Sequence, residues 1–141
     1  MDFEQANEVV RALRRLAMAQ RGRKVDLLRK HGLQPGQDVV LLELAELGQA
    51  SQKELAEAVE VDEPSVGRSI ARLETKNLLK RSVDPGDSRR RVVELTTQGR
   101  KLIPQLKRIY IQIANETVGD ADGDFHKKLL TTVRETTDRF E

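Results

Sequence analysis

Apolar residues recur at helical spacing over most of this chain and at strand spacing in only one place, which predicts a mainly α protein with a small β-hairpin. Phe3, Ala6, Val10, Leu13 and Ala17 follow one another at steps of three and four, with Val9 and Leu16 beside them, so residues 2–31 read as one long helix. Its stripe is long and narrow, the kind that joins another helix from the same chain or from a second copy. Gly22 weakens the middle by about 1 kcal/mol relative to alanine. Gly32 ends the helix, and Pro35 is expected in the first turn of the next. There Val39, Val40, Leu41, Leu42, Leu44, Ala45 and Leu47 crowd one short segment closed by Gly48, which predicts a helix buried on nearly every side.

Cap chemistry marks the next two helices. Ser51 followed by Glu54 fits the reciprocal capping box, and Leu55, Ala56 and Val59 supply one apolar face. Asp62 is a strong N-cap with Pro64 in the first turn, where a missing N–H costs nothing. Val66, Ile70 and Leu73 then face inward, leaving Ser65, Arg68, Ser69, Arg72 and Lys76 outside. Asn77 tolerates the left-handed conformation of a helix end. Two strand-like runs follow, Leu79–Val83 and Arg91–Thr96, around the turn-rich tip Asp84-Pro85-Gly86-Asp87. Helix, turn, helix, hairpin is the order a winged helix-turn-helix needs.

After Thr96, a plausible cap, Gln98 to about Glu116 reads as a helix with Leu102, Leu106, Ile109, Tyr110 and Ile113 on one side; Pro104 should bend it. Gly119–Asp124 breaks the pattern. A last helix, striped by Phe125, Leu129, Val133 and Phe140, is expected to run to the C-terminus. The resulting division is 1–31 as an N-terminal dimerisation helix, 32–96 as the winged module and 97–141 as C-terminal dimerisation helices.

Composition narrows the function. The 141 residues contain no cysteine, which removes disulfides, thiolate metal sites and thiol redox switches. No apolar run approaches the roughly 18 residues that span a bilayer, and the first residues do not read as a signal peptide, so the expected location is cytoplasmic, with no membrane partner. His31 and His126 stand far apart and outside metal-ligand spacing, and no phosphate loop or nucleophile motif appears. No catalytic residue, metal or cofactor is therefore expected.

Charge distribution says more than the net charge of +2. Eight basic residues against three acidic ones lie between Pro64 and Val92, whereas Ser51–Glu63 carries five acids and one lysine. A basic field beside an acidic one orients a chain on a polyanion. Another eight cations against Asp26 alone lie from Arg11 to Lys30. That stretch reads as a solvated face, with contact to flanking phosphates as the sharper alternative.

Ser65, Arg68, Ser69 and Arg72 are the side-chain types that a major-groove helix uses, small and polar near its N-terminus with long cations behind. Asp87, Arg89, Arg90 and Arg91 form the wing set: an arginine on a hairpin tip can enter a narrow minor groove, and Asp87 is close enough in sequence to orient a guanidinium. Three cations on one tip would repel one another without a partner.

The run Leu33–Thr96 resembles the multiple antibiotic resistance regulator (MarR) family of winged-helix transcription factors. The likeness rests on Gln37 with its apolar helix, on Gln52-Lys53-Glu54-Leu55-Ala56, and on Val66–Leu79 with Arg68 and Arg72-Leu73-Glu74. Above all it rests on Asp84-Pro85-Gly86-Asp87-Ser88-Arg89 ending in Val93-Glu94-Leu95-Thr96. It implies that Arg89 is the minor-groove arginine with Asp87 as its partner, and that the outer helices build a dimer. Asn77 stands where the family usually has glycine, Gly67 where threonine is common, and Ser88 where a basic residue is frequent. The expected function is a regulator, by family habit a repressor, that binds double-stranded DNA as a homodimer, with a small-molecule effector as a further candidate partner and its site unknown. The alternatives are a winged-helix module for protein or RNA interaction, and a DNA-binding regulator without ligand response.

Overall fold

The computed structural model describes residues 1–119 and 123–141; part of the expected Gly119–Asp124 break thus lies outside the described residues. Its elements are α1 (Phe3–Arg29), α2 (Gln37–Leu47), β1 (Gln49–Ala50), α3 (Gln52–Val59), α4 (Glu63–Thr75), β2 (Leu79–Asp84), β3 (Asp87–Leu95), α5 (Thr97–Val118) and α6 (Gly123–Thr137). The mainly α architecture with a small β wing is as expected.

Caps begin the helices where side-chain chemistry says they should. Asp2 and Gln5 close a capping box on α1, Ser51 and Glu54 close one on α3, and Asp62 and Thr96 cap α4 and α5. Asn77 does adopt a left-handed conformation, φ 58°, beyond α4. Pro35 does not fall in the first turn of α2. Gly36 is the N-cap at φ 102°, a region closed to most L side chains, and Pro35 lies outside the helix. The cap is made from within the helix: the Gly36 N–H donates to Asp38 Oδ1 at 2.9 Å and the Gln34 N–H to Gln37 Oε1 at 3.1 Å.

The wing is a three-stranded antiparallel sheet in the order β1-β3-β2, not a bare hairpin. Gln49 and Ala50 pair with Glu94 and Val93, a two-residue strand too short for any periodicity to reveal. The strand β3 begins four residues earlier than expected, because Asp84 and Asp87 pair across Pro85-Gly86 and an irregularity at Val83/Asp84 keeps the ladder in step. At the sheet's base the Thr96 N–H donates to the Leu78 carbonyl, and the Thr96 hydroxyl donates to the Asn77 carbonyl while accepting from Gly99 N–H. There Gly99 lies so close that an added Cβ would sit 1.9 Å from the Leu78 carbonyl oxygen.

Leu41, Leu44, Leu55, Ile70, Leu73 and Leu79 are completely or almost completely buried in one core. Leu27 and Leu28 from α1 and Ile103, Leu106 and Ile109 from α5 complete it. α2 is buried less evenly than its composition suggested, since Ala45 and Leu47 are exposed. It also carries buried polar residues, Gln37 and Asp38. α5 runs through Pro104 as one helix. α6 stops at Thr137, so Phe140 lies beyond the last helix rather than on its stripe.

Candidate nucleic-acid interface

At the start of α4 a chain of hydrogen bonds orders the polar face. Asp62 Oδ1 accepts from Ser65 N–H at 2.9 Å, Ser65 Oγ donates to Asp62 Oδ2 at 2.7 Å, and Arg68 Nη2 donates to Ser65 Oγ at 2.9 Å. Those bonds from Ser65 hold the Asp62 carboxyl below its ordinary range. The consequence is an exposed Arg68 guanidinium with a preferred direction, donors still free toward solvent. Ser69, by contrast, is half-buried against the start of α2: a Cβ on Gly36 would lie 3.7 Å from its hydroxyl.

The far end of α4 is tied to the α1–α2 turn. Lys76 Nζ donates to the Gly32 carbonyl and, at 3.1 Å, to Gln37 Oε1; Arg72 Nη1 reaches Gln34 Oε1 at 3.4 Å. Sequence reasoning placed Lys76 on the outer face with Arg72, and missed that its ammonium anchors the helix. Gly67 has a local reason as well: an added Cβ would meet Gln52 Nε2 at 2.8 Å, so a bare backbone lets the Gln52 side chain lie against α4.

On the wing the three arginines divide. Successive residues of a strand point to opposite faces, which turns Arg90 away from Arg89 and Arg91. Arg89 and Arg91 are exposed, and neither guanidinium has a bond or ion pair among the described residues. Arg90 donates through Nη1 to Asp84 Oδ2 at 2.6 Å and through Nη2 to Glu54 Oε1. The mutual repulsion expected of three tip cations is relieved in this way. Asp87 does not touch the Arg89 guanidinium. Its Oδ1 accepts the Arg89 backbone N–H at 2.9 Å, so it shapes the turn instead of aiming the side chain.

A second polar cluster, invisible to sequence spacing, joins three helices behind α4. Asp38, completely buried, receives Lys24 Nζ at 2.7 Å and the Tyr110 hydroxyl at 2.6 Å on Oδ2 while Oδ1 holds Gly36 N–H. Burial, and next the hydrogen bond to Asp38, push the Tyr110 hydroxyl far above its ordinary pKa. Lys24 Nζ also lies 5.0 Å from the Tyr110 ring centre. Beside this cluster Gln20, Lys24, Tyr110, Ile113 and Ala114 line a cleft of about 230 Å³. No group of His, Asp and Glu suited to a metal ion occurs among the described residues, and no helix there is long and apolar enough to cross a membrane.

Comparison with known proteins adds an independent line. The MarR family pattern matches residues 33–91. The chain is 32% identical over 105 residues to the HTH-type transcriptional repressor NicR of Pseudomonas putida, which covers 74% of this chain and 66% of that one. It is 30% identical over 98 residues to the transcriptional regulator HosA of Escherichia coli, 70% of this chain and 73% of the relative. Among solved structures, BpsR of Bordetella bronchiseptica, whose DNA binding is regulated by 6-hydroxynicotinic acid, superposes with a TM-score of 0.78 at 28% identity, covering 92% and 98% of the two chains. A variant of MarR from E. coli complexed with operator DNA gives 0.81 at 20% identity over 96% and 99%, a likeness of fold.

Proposed function

The chain belongs to the MarR family of transcriptional regulators, and on that premise we propose that it is a repressor that closes on a pseudo-palindromic operator as a homodimer. It works by binding, not by chemistry on a substrate. The observation that carries this reading is the pairing of an ordered, outward Arg68 at the start of α4 with two arginines on the wing, Arg89 and Arg91, that have no partner among the described residues. In the major groove Arg68 offers two donors in a plane, the geometry that matches the O6 and N7 acceptors of guanine. Arg89 and Arg91 meet phosphates, or the deep negative potential of a narrowed minor groove. One module makes few base contacts, and two copies with recognition helices about 34 Å apart would read successive half-sites.

Selection of duplexes from random DNA, followed by anisotropy titration with RNA competitor, tests the reading. We expect a two-fold-related site, with Arg89→Ala costing about 1–3 kcal/mol of binding and Arg68→Ala relaxing preference at one base pair per half-site. Equal affinity for RNA, or no selected duplex, would replace the repressor by an interaction module.

The effector belongs to the same proposal. The Lys24–Tyr110 cleft suits a small aromatic acid, the class to which the regulator of BpsR belongs. A carboxylate there competes with Asp38 for Lys24. Asp38 holds the first turn of α2, and the neighbouring Gln37 holds Lys76 at the end of α4, so loosening one end shifts the other. Titrating 6-hydroxynicotinic acid into the operator complex should release DNA from the wild type and not from Lys24→Met.

A further inference from the structure

We propose that Arg90 is a positioning residue: a strut that locks the wing tip to the start of α3 and is not itself a DNA ligand. The inference rests on the DNA-binding reading above. Each carboxylate that Arg90 joins has a second task. Glu54 accepts the Ser51 N–H at 3.1 Å through Oε2, which starts α3, and gives Oε1 to Arg90. Asp84 accepts the Gly86 N–H at 2.9 Å through Oδ1, which shapes the tip, and gives Oδ2 to Arg90. One planar guanidinium therefore connects the turn that presents Arg89 to the helix that supports α4, across 36 residues of chain.

Among the described residues this is the one side-chain bond from residues 84–91 to anything outside the hairpin. Pro85–Arg89 is otherwise exposed, so little else restrains the angle at which the tip meets a groove. Arg90 also neutralises two carboxylates that would face a polyanion. Both are held below their ordinary range, Glu54 by Ser51 and then Arg90, Asp84 by Gly86 and then Arg90. A guanidinium already bonded to two anions displaces no counterions from DNA.

The test uses opposite signs. In full-length protein, Glu54→Gln keeps an oxygen for the Ser51 N–H and removes an acidic charge near DNA. Arg90→Lys keeps the cation, but a point charge cannot bond two carboxylates as a fork does. With a strut, both variants weaken operator binding, by about three- to tenfold, the range expected when a preformed contact becomes mobile. Circular dichroism should show each still folded. Arg89→Ala is the reference, and should lower the salt slope of binding by about one. If Glu54→Gln tightens binding, or Arg90→Lys binds like wild type, Arg90 is an ordinary cation and the strut is overturned. Should the wild type bind no duplex, the regulator reading falls and the strut with it. A normal Arg89→Ala loss beside a tightened Glu54→Gln removes the strut alone.

Discussion

The segment from Leu33 to Thr96 and the outermost helices carry apolar stripes of similar quality, yet they use them in opposite ways. In the module Leu41, Leu44, Leu55, Ile70 and Leu73 are at 0% exposure, whereas α6 has no buried residue and on α1 Phe3, Val10 and Leu13 stand 81%, 65% and 57% exposed. α1 itself spans both regimes, since its last turns bury Leu27 and Leu28 in the shared core. A helical stripe thus states that a helix needs a partner and leaves open whether that partner lies in the same chain. An exposed apolar surface of this length is what a second copy would cover.

The largest effect should come from the buried side of this contrast. Leu44→Ala opens a cavity in the core and should cost about 2–5 kcal/mol of stability, read as a lower urea midpoint with unchanged slope. Leu13→Glu, a harsher change, should leave the secondary structure intact and instead convert dimer to monomer in light scattering. Losing the two-site grip would then lower operator affinity by about a hundredfold. A Leu13→Glu protein that remains dimeric would dissolve the contrast.

Gly99→Ala sharpens the boundary between the two regions, because the new methyl would strike the Leu78 carbonyl where α5 meets the sheet. Backbone must move, and a loss of about 1–3 kcal/mol in thermal unfolding is expected. The smallest effect belongs to the Arg23–Glu116 clasp between α1 and α5, 2.8 Å and exposed. Arg23, aided by Gln112, lowers the Glu116 carboxyl to about 2. Its contribution is complete above the unfolded carboxyl pKa of about 4.3 and disappears as pH falls toward 2. Glu116→Gln should therefore differ slightly from wild type in melting temperature near neutrality. That difference should vanish in acid and shrink with added salt.

Much of the module was legible in the residues because its signals are local. Ser51 with Glu54, Asp62 with Pro64, and Asn77 each act through bonds within one turn of chain, and each stands where its chemistry predicts. The misreadings are of one kind. Pro35 suggested a helix start that Gly36, Gln37 and Asp38 instead build from inside α2. Asp87 was close enough to hold Arg89, but a short carboxylate bonds its neighbour's backbone more readily than a distant guanidinium. The β1 pair follows from ladder bonds whose partners are remote in sequence, and the extension of β3 to Asp87 from a tight pairing with Asp84 that no alternation of apolar residues marks.

By itself the sequence determined which segments are helices, where those with a side-chain N-cap at Ser51, Asp62 and Thr96 begin, and which faces are apolar, since hydrophobic periodicity and capping depend on residues three or four apart. It also placed the cations on α4 and the tip. Only the tertiary structure decided how those cations divide. Among the described residues Arg89 and Arg91 remain unpartnered, while Arg90 is bound to Glu54 and Lys76 to Gly32 and Gln37. Such pairings depend on distances between groups tens of residues apart, which folding sets and no local pattern encodes.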